Sequence, residues 1–486
     1  MSDSSAMATG AADNVAAIIL AAGKSTRMRS KTPKPLHALC GRPLTGHVIH
    51  SCRTAGVARV VVVVGHEADA VRKGLGDSVE YALQEAPLGT GHAALAARSL
   101  FHGWSGTILV LAGDVPLLPA PSLQRLLEHH KRTAASATLL TAFLDDPTGY
   151  GRVIRDADGC VAAIVEHRDA TPEQRAIKEW NPSIYAFESD HLWAALSRVE
   201  PANNQKEIYL TDAIGILRGG GRRVEAVPAD GPQDVLGVNN RVELAEAGAI
   251  LQRRILVEHM LAGVSITDPA STYIDAGVTI GQDTTVEPAT FLYRGTTVGE
   301  DCTIGPFARI SGSRIGNRCR IVAAQITDST IGSDVSIGPF ANLRPATTLA
   351  DRVKIGDFVE TKNANFGPGA QASHLSYIGD AEVGGGTNIG AGTITCNYDG
   401  YRKHRTVIGR NAFVGSHATL VAPITIGDGA FIAAGSSVTV SVPADAMAIA
   451  RARTTLKEGW AATYRAERSA AKAAEAANAR PNHGSE

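Results

Sequence analysis

Residues 279–310 read TIGQDTTVEPATFLYRGTTVGEDCTIGPFARI. An aliphatic residue returns at every sixth position: Ile280, Val286, Leu292, Val298, Ile304 and Ile310. That period matches neither the ~3.6-residue repeat of a helix nor the two-residue alternation of a strand. It fits a solenoid of short strands that turn at corners, each repeated aliphatic pointing inward and stacking on its copy one coil away. Working outward, the series shifts and resumes at Ile315 and Ile321, then at Ile331, Ile337, Leu343, Leu349 and Ile355. A third run is Ile408, Val414, Leu420, Ile426, Ile432 and Val438. Two segments, 365–377 and 396–405, break the repeat, and both are rich in reactive side chains. Breaks in a solenoid are expected to project as loops from one face, often where binding occurs.

The rest of the chain is different in kind. At 486 residues the sequence calls for at least two domains. Its fifty glycines concentrate after residue 277, which marks a change of composition. Residues 15–22, VAAIILAA, read as a buried strand followed by Gly23, Lys24, Ser25, Thr26 and Arg27. Further apolar runs, Val60 to Val64 and Thr107 to Leu111, end in Gly65 and in Gly113-Asp114-Val115-Pro116, with a helical pattern from His92 to Leu100 between them. Strands alternating with helices predict an α/β fold with a mainly parallel, Rossmann-like sheet. Ligands of such sheets bind at the carboxyl ends of the strands, where Asp114 and the glycine turns fall.

Several classes are excluded or disfavoured. A net charge of −1 gives no electrostatic reason to expect nucleic acid or an acidic membrane as partner. The first apolar run is far shorter than the ~20 residues that span a bilayer. Six cysteines without a CxxC pair predict reduced thiols in the cytoplasm. Gly23-Lys24-Ser25 imitates the end of a Walker A loop, but Ile18 stands where the first glycine belongs. His66-Glu67 lacks the second histidine of a zinc helix, since Ala70 occupies its place.

The repeat resembles that of the hexapeptide-repeat acyltransferases, which implies a left-handed parallel β-helix and a homotrimer. Leu20-Ala21-Ala22-Gly23, Thr26-Arg27-Met28 and Lys34-Pro35 resemble the signature of the sugar-1-phosphate nucleotidyltransferases. Together the halves are similar, over roughly residues 15–460, to the bacterial bifunctional uridyltransferase/acetyltransferases that make UDP-N-acetylglucosamine. Leu88-Gly89-Thr90-Gly91-His92, Gly237-Val238-Asn239-Asn240-Arg241, His374-Leu375-Ser376-Tyr377 and the stretch Asn388 to Gly400 carry this likeness.

The resemblance implies roles. Leu20, Ala21, Ala22, Gly23, Gln84, Gly89, Thr90 and Gly113 would hold UTP, and the Gln84 amide could read a uracil edge. Arg27 and Lys34 would neutralise the triphosphate, and Asp114 and Asn239 would bind Mg²⁺. Gly151, Glu166 and Asn181 would hold the amino sugar. In the β-helix, Arg344 and Lys362 would grip a sugar phosphate, and Tyr377 and Asn388 would line the sugar pocket. His374 would be the general base, a role suited to an unperturbed pKa of ~6.5. Ala391, Asn397, Tyr398, Ser416, Ala434 and Arg451 would contact acetyl-CoA. Ser25, Ala112 and Asn181-Pro182-Ser183 depart from the family's usual residues.

The expected layout is a disordered 1–13, a nucleotidyltransferase domain at 14–240, a linker helix at 241–263, the β-helix at 264–456 and a tail at 457–486 that is a frayed helix or disordered. Two rival readings fit parts of the chain: a nucleotidyltransferase whose β-helix only regulates or oligomerises, and a non-catalytic trimeric scaffold. The reactive residues in the breaks favour an enzyme with two sites.

Overall fold

The computed structural model describes residues 14–23 and 26–478. The expectations for 1–13, for Ser25 and for the last residues of the tail lie outside the described residues. The chain divides into two compact units, with the boundary between Arg318 and Cys319.

In the first unit the strand Val15–Leu20 lies between Arg59–Val64 and Thr107–Ala112, with Glu80–Leu83 at the edge, all parallel. These strands are near-continuous aliphatic runs because both faces are covered. Ile18, Val61 and Val63 pack into the core on one face, Ile19 and Val62 into that on the other. Beyond Thr107–Ala112 the sheet changes character. Ile184–Glu188 pairs antiparallel with it, and Gly151–Arg155 and Val161–Val165 form an antiparallel extension. Parallel pairing is therefore confined to the half of the sheet that carries the glycine turns, plus Val224–Pro228 beside Ala137–Phe143.

The helix Arg241–Leu261 starts at Asn240, whose side chain accepts hydrogen bonds from the N–H groups of Val242 and Glu243. It stops before Gly263, whose φ of +96° only glycine adopts easily. After it the first coils of the β-helix form within the same unit. Ser265–Ile266, Thr285–Val286 and Thr303–Ile304 stack in parallel register. The Cys40 carbonyl accepts a 2.9 Å hydrogen bond from the Ala276 N–H, so the early coils are tied to the α/β half.

The second unit is a left-handed parallel β-helix. One inward column runs Ile337, Ile355, Ala372, Ile389, Val414, Ile432. All six are almost wholly buried. Burying each aliphatic stabilises the fold by roughly 1.5–3 kcal/mol.

The first break in the repeat is not a loop. Glu360–Phe366, Gln371–His374 and Tyr377–Val383 are strands that keep the coil intact. The run of large aliphatics lapses because Ala364, Ala370, Ala372 and Ala381 take inward places, while the buried Phe366 fills space among them. His374 thus stands at a coil corner, next to Leu375 at φ +49°. The second break does leave the coil. Residues 397–405 run between Ile394–Cys396 and Thr406–Ile408, pinched by a bridge between Tyr398 and Lys403. In the tail, where a frayed helix or disorder is expected, Trp460–Asn478 is an exposed helix, whose alanine-rich sequence favours helix.

Ala372→Ile would restore the six-residue aliphatic pattern yet overfill a closed interior. Urea unfolding should show a loss of about 1–3 kcal/mol; unchanged or greater stability would mean that the coil interior is open there.

Candidate active sites

The strand ends of the first unit open into a cavity of about 560 Å³. Leu20, Ala21, Ala22, Gly23, Arg27, Lys34, Gln84, Gly89, Thr90, Gly113, Asp114 and Asn239 all line it. Sequence reasoning missed Thr26, Pro35, Pro87, Ala93, Ala112, Ser183 and Glu207 among its walls.

Local structure explains each placement. Gly113 follows the strand Thr107–Ala112, and its N–H donates to the Leu20 carbonyl at 2.9 Å. A Cβ on Gly113 would stand 2.8 Å from that oxygen, so only glycine lets the two turns approach. The Asp114 carbonyl accepts from the Val238 N–H at 2.9 Å, which draws the 237–239 segment over the same opening. Gly89, at φ +108°, sits where a Cβ would meet the Ile208 carbonyl oxygen at 2.5 Å. Thr90 Oγ1 accepts from the Leu210 N–H, fixing the start of the helix Thr90–Ala96.

The charged groups converge. Lys34 Nζ forms an ion pair with the Asp114 carboxylate and donates to Asn239 Oδ1 at 3.0 Å. Arg27 donates to the same Asn239 oxygen at 2.9 Å. Asn239 is oriented by Glu243 in the first turn of the helix Arg241–Leu261. Glu243 Oε2 accepts from the Asn239 N–H at 2.7 Å and from its Nδ2 at 3.2 Å, which leaves the amide oxygen for the cations. The helix expected as a linker is therefore also part of this site. Glu243 lacked a signal beyond its place three residues after the capping Asn240.

Gly151, Glu166 and Asn181 lie beside the cavity rather than in its lining. Asn181 pairs with Gly151 across adjacent strands, and its Oδ1 accepts from the N–H of Ser183, a lining residue. Asn181 Nδ2 donates to the Tyr185 hydroxyl at 2.6 Å. Glu166 accepts from the Thr211 hydroxyl at 3.2 Å. Burial pushes the Glu166 carboxyl above its ordinary range; Thr211 opposes this, while Asp212, Asp169 and Glu207 add to the rise.

The second unit gathers the other residues. Arg344 Nη1 donates to Glu360 Oε1 at 2.7 Å, and Glu360 stands beside Tyr377 on neighbouring coils. The Lys403 ammonium, and after it the Arg344 guanidinium, hold the Lys362 ammonium below its usual range. Lys403, which sequence reasoning passed over in the basic 402–405 run, thus completes a cationic cluster. Asn397 is buried and donates to Asp380, which also accepts from Asn363 at 2.6 Å. Tyr398 is exposed in the protruding loop. The His374 carbonyl accepts from the Gly392 N–H, tying the His374 corner to the coil that carries Asn388 and Ala391.

Ala391, Ser416, Ala434 and Arg451 form a single column. The Ala391 carbonyl accepts from His417, next to Ser416, and the Ser416 carbonyl accepts from Gly435, next to Ala434. A Cβ on Gly435 would stand 3.7 Å from Arg451. At ~4.8 Å per coil the four positions span about 14 Å, the reach of an extended chain.

These features define a nucleotidyltransferase of α/β type joined to a hexapeptide-repeat transferase. Residues 17–207 match the MobA-like NTP transferase domain, and residues 405–439 match the bacterial transferase hexapeptide (six repeats). The bifunctional protein GlmU of Geobacillus sp. (strain WCH70) is 50% identical over 91% of this chain and 97% of its own. That of Geobacillus thermodenitrificans is 49% identical over 91% and 97%, and that of Trichlorobacter lovleyi 48% over 92% and 97%. The chain belongs to the bifunctional GlmU family.

Because the folded-state pKa of Glu166 is raised, its ionisation costs stability as pH climbs through that value, and the cost is absent below the unfolded value near 4.5. Glu166→Gln should therefore raise the thermal midpoint at pH 8, with the gain shrinking toward pH 4. A midpoint difference independent of pH would show that burial of the charge is not the cause.

Proposed function

We propose that the chain acetylates glucosamine-1-phosphate with acetyl-CoA in its β-helix and then transfers UMP from UTP to the N-acetylglucosamine-1-phosphate in its α/β half, releasing pyrophosphate. Uridyltransferase and acetyltransferase are the two activities of the family, and the chain is an enzyme of both kinds. Residues 14–240 with the first turn of the following helix do the first-named chemistry, and residues 264–456 the second. The observation that carries the assignment is the convergence of Arg27, Lys34, Asp114 and Asn239 at one strand-end cavity.

In uridylyl transfer a phosphate oxygen of the sugar attacks the α-phosphorus, the bond to the β-phosphate oxygen breaks and pyrophosphate leaves. Lys34 and Arg27 offset the negative charge of the triphosphate and orient it for in-line attack. Gly23 and Gly89 let backbone approach the nucleotide, while Gly151, Glu166 and Asn181 receive the amino sugar. The Asp114 carboxylate and the Asn239 amide oxygen both reach one ammonium group, so two oxygen donors meet at a point, as a hard divalent cation requires. They would hold Mg²⁺, which would offset phosphate charge and make the phosphorus more electrophilic. Among the described residues no cluster of three or more His, Cys, Asp or Glu could hold a metal.

In acetyl transfer the Arg344, Lys362 and Lys403 cluster receives the sugar phosphate. The depressed Lys362 supports this, since mutual repulsion of cations favours a bound anion. His374 takes a proton from the amine as its nitrogen attacks the thioester carbonyl; the carbon–sulfur bond breaks and coenzyme A leaves as its thiol. Tyr377 and Asn388 flank the sugar, Asn397 and Tyr398 the acetyl group, and the Ala391, Ser416, Ala434 and Arg451 column takes the extended arm of the coenzyme.

A homotrimer is the assembly we assign. Supporting it, Phe413 and Phe431 stack at 4.8 Å on the outer face, and both, with Met447, are exposed. Substrates of central metabolism and six free thiols support a cytoplasmic enzyme. Among the described residues no helix is long and apolar enough to cross a membrane.

A coupled assay with both substrate pairs tests the two-site reading. His374→Ala should lower acetyl transfer by at least about a hundredfold, the scale of general-base catalysis, and spare uridylyl transfer. Asp114→Ala should do the reverse, and full uridylyl transfer in that variant would remove Asp114 from the metal site.

A further inference from the structure

Gln84 is buried in the wall of the nucleotide cavity, and its side-chain nitrogen has two partners. Nε2 lies 3.1 Å from the Gly89 carbonyl oxygen and 3.0 Å from His92 Nδ1. A carbonyl can only accept a hydrogen bond, so the end of the amide that faces Gly89 is the NH₂. One of its two hydrogens is spent there. The other meets His92, whose Nδ1 must therefore be the accepting nitrogen of a neutral ring, with the proton on Nε2. Both donors of Gln84 are then used. Among the described residues no protein donor meets its Oε1, which is left for a ligand.

A freely turning glutamine amide reads pyrimidines ambiguously. It can offer its oxygen to the N3–H of uracil or its nitrogen to the bare N3 of cytosine. A locked amide cannot. With the nitrogen held by Gly89 and His92, only uracil presents a hydrogen where the free oxygen stands, whereas cytosine would set one lone pair against another. Sites that commit a polar group in this way reject the mismatched analogue because a buried group is left unpaired.

The clamp itself is rigid. His92 lies in the helix Thr90–Ala96, and the loop before that helix is pinned to residues 208–210. The Gly91 N–H donates to the Ile208 carbonyl, the Ile208 N–H to the Leu88 carbonyl, and the Leu210 N–H to Thr90 Oγ1. The Gln84 N–H is itself paired with the Val64 carbonyl at 2.8 Å. Both anchors of the amide are thus fixed before any nucleotide arrives.

We propose that His92 is a positioning residue that fixes the Gln84 amide with its oxygen toward the base and so sets the preference for UTP over CTP. This rests on the reading of the cavity as the UTP site.

The experiment is the ratio of kcat/KM for UTP to that for CTP in the full-length enzyme, with its usual sugar phosphate and Mg²⁺. His92→Ala should lower the ratio by about tenfold, the loss of one neutral buried hydrogen bond. His92→Asn, whose Oδ1 can accept in place of Nδ1, should restore most of it. A merely structural His92 would instead give variants that lose rate on both nucleotides at an unchanged ratio. That result, found while Gln84→Ala does change the ratio, would overturn the role of His92. An unchanged ratio in Gln84→Ala would overturn the underlying reading that Gln84 faces the base.

Discussion

Each coil of the β-helix must pass its backbone hydrogen bonds to the next coil in parallel register, and everything in the second unit follows from that constraint. The inward column from Ile337 to Ile432 is one consequence. The outward columns are the other. A residue at a given place in one coil has its counterpart about 4.8 Å away in the next. Ala391, Ser416, Ala434 and Arg451 are spread through the sequence, yet they become one continuous track because the register never slips. Corners serve the same end. Positive-φ residues such as Leu375 and His417 turn the chain sharply: His374 and Ser416 before them are exposed, while Ser376 and Ala418 after them are buried.

The first unit positions its side chains by the opposite means. In its α/β part nothing repeats; loops from distant parts of the chain converge on the ends of parallel strands. Their like charges are balanced internally. The Lys34–Asp114 pair is partly buried, with side-chain exposures of 16% and 29%, and Asn239 is shared between Lys34 and Arg27. A partly buried pair broken on one side leaves an uncompensated charge. In the function proposed above, a polyanion that engages Lys34 leaves Asp114 in need of a cation, which Mg²⁺ would supply.

Much of this was legible in the sequence. The period of six gave the β-helix because aliphatic residues occupy nearly every inward place. The nucleotide cavity was legible because its glycines are required by close backbone approach, as at Gly89 and Gly113. What escaped did so for physical reasons. Residues 365–377 looked like an interruption because alanine fills the inward places, and a search for large aliphatics does not see alanine. Glu243 and His92 lie against Asn239 and Gln84, and such relationships exist only after folding. The antiparallel half of the sheet escaped as well. Gly151–Arg155 carries no apolar run, and the run Val161–Val165, VAAIV, does not tell parallel from antiparallel pairing.

Placing two chemistries in one chain makes unlike demands on burial. Uridylyl transfer needs groups held still in a desolvated setting, and Glu166, assigned to that site in the function proposed above, is a carboxylate whose burial opposes its charge. Acetyl transfer needs an open track for a long flexible coenzyme, and His374, Ser416, Ala434 and Arg451 are all exposed. A single core could serve both only by compromise. A sheet with converging loops and a solenoid with outward columns each meet one demand. In the first, destabilising groups are carried by a large apolar core. In the second, stability comes from the stacked interior and leaves the outer face free for substrates.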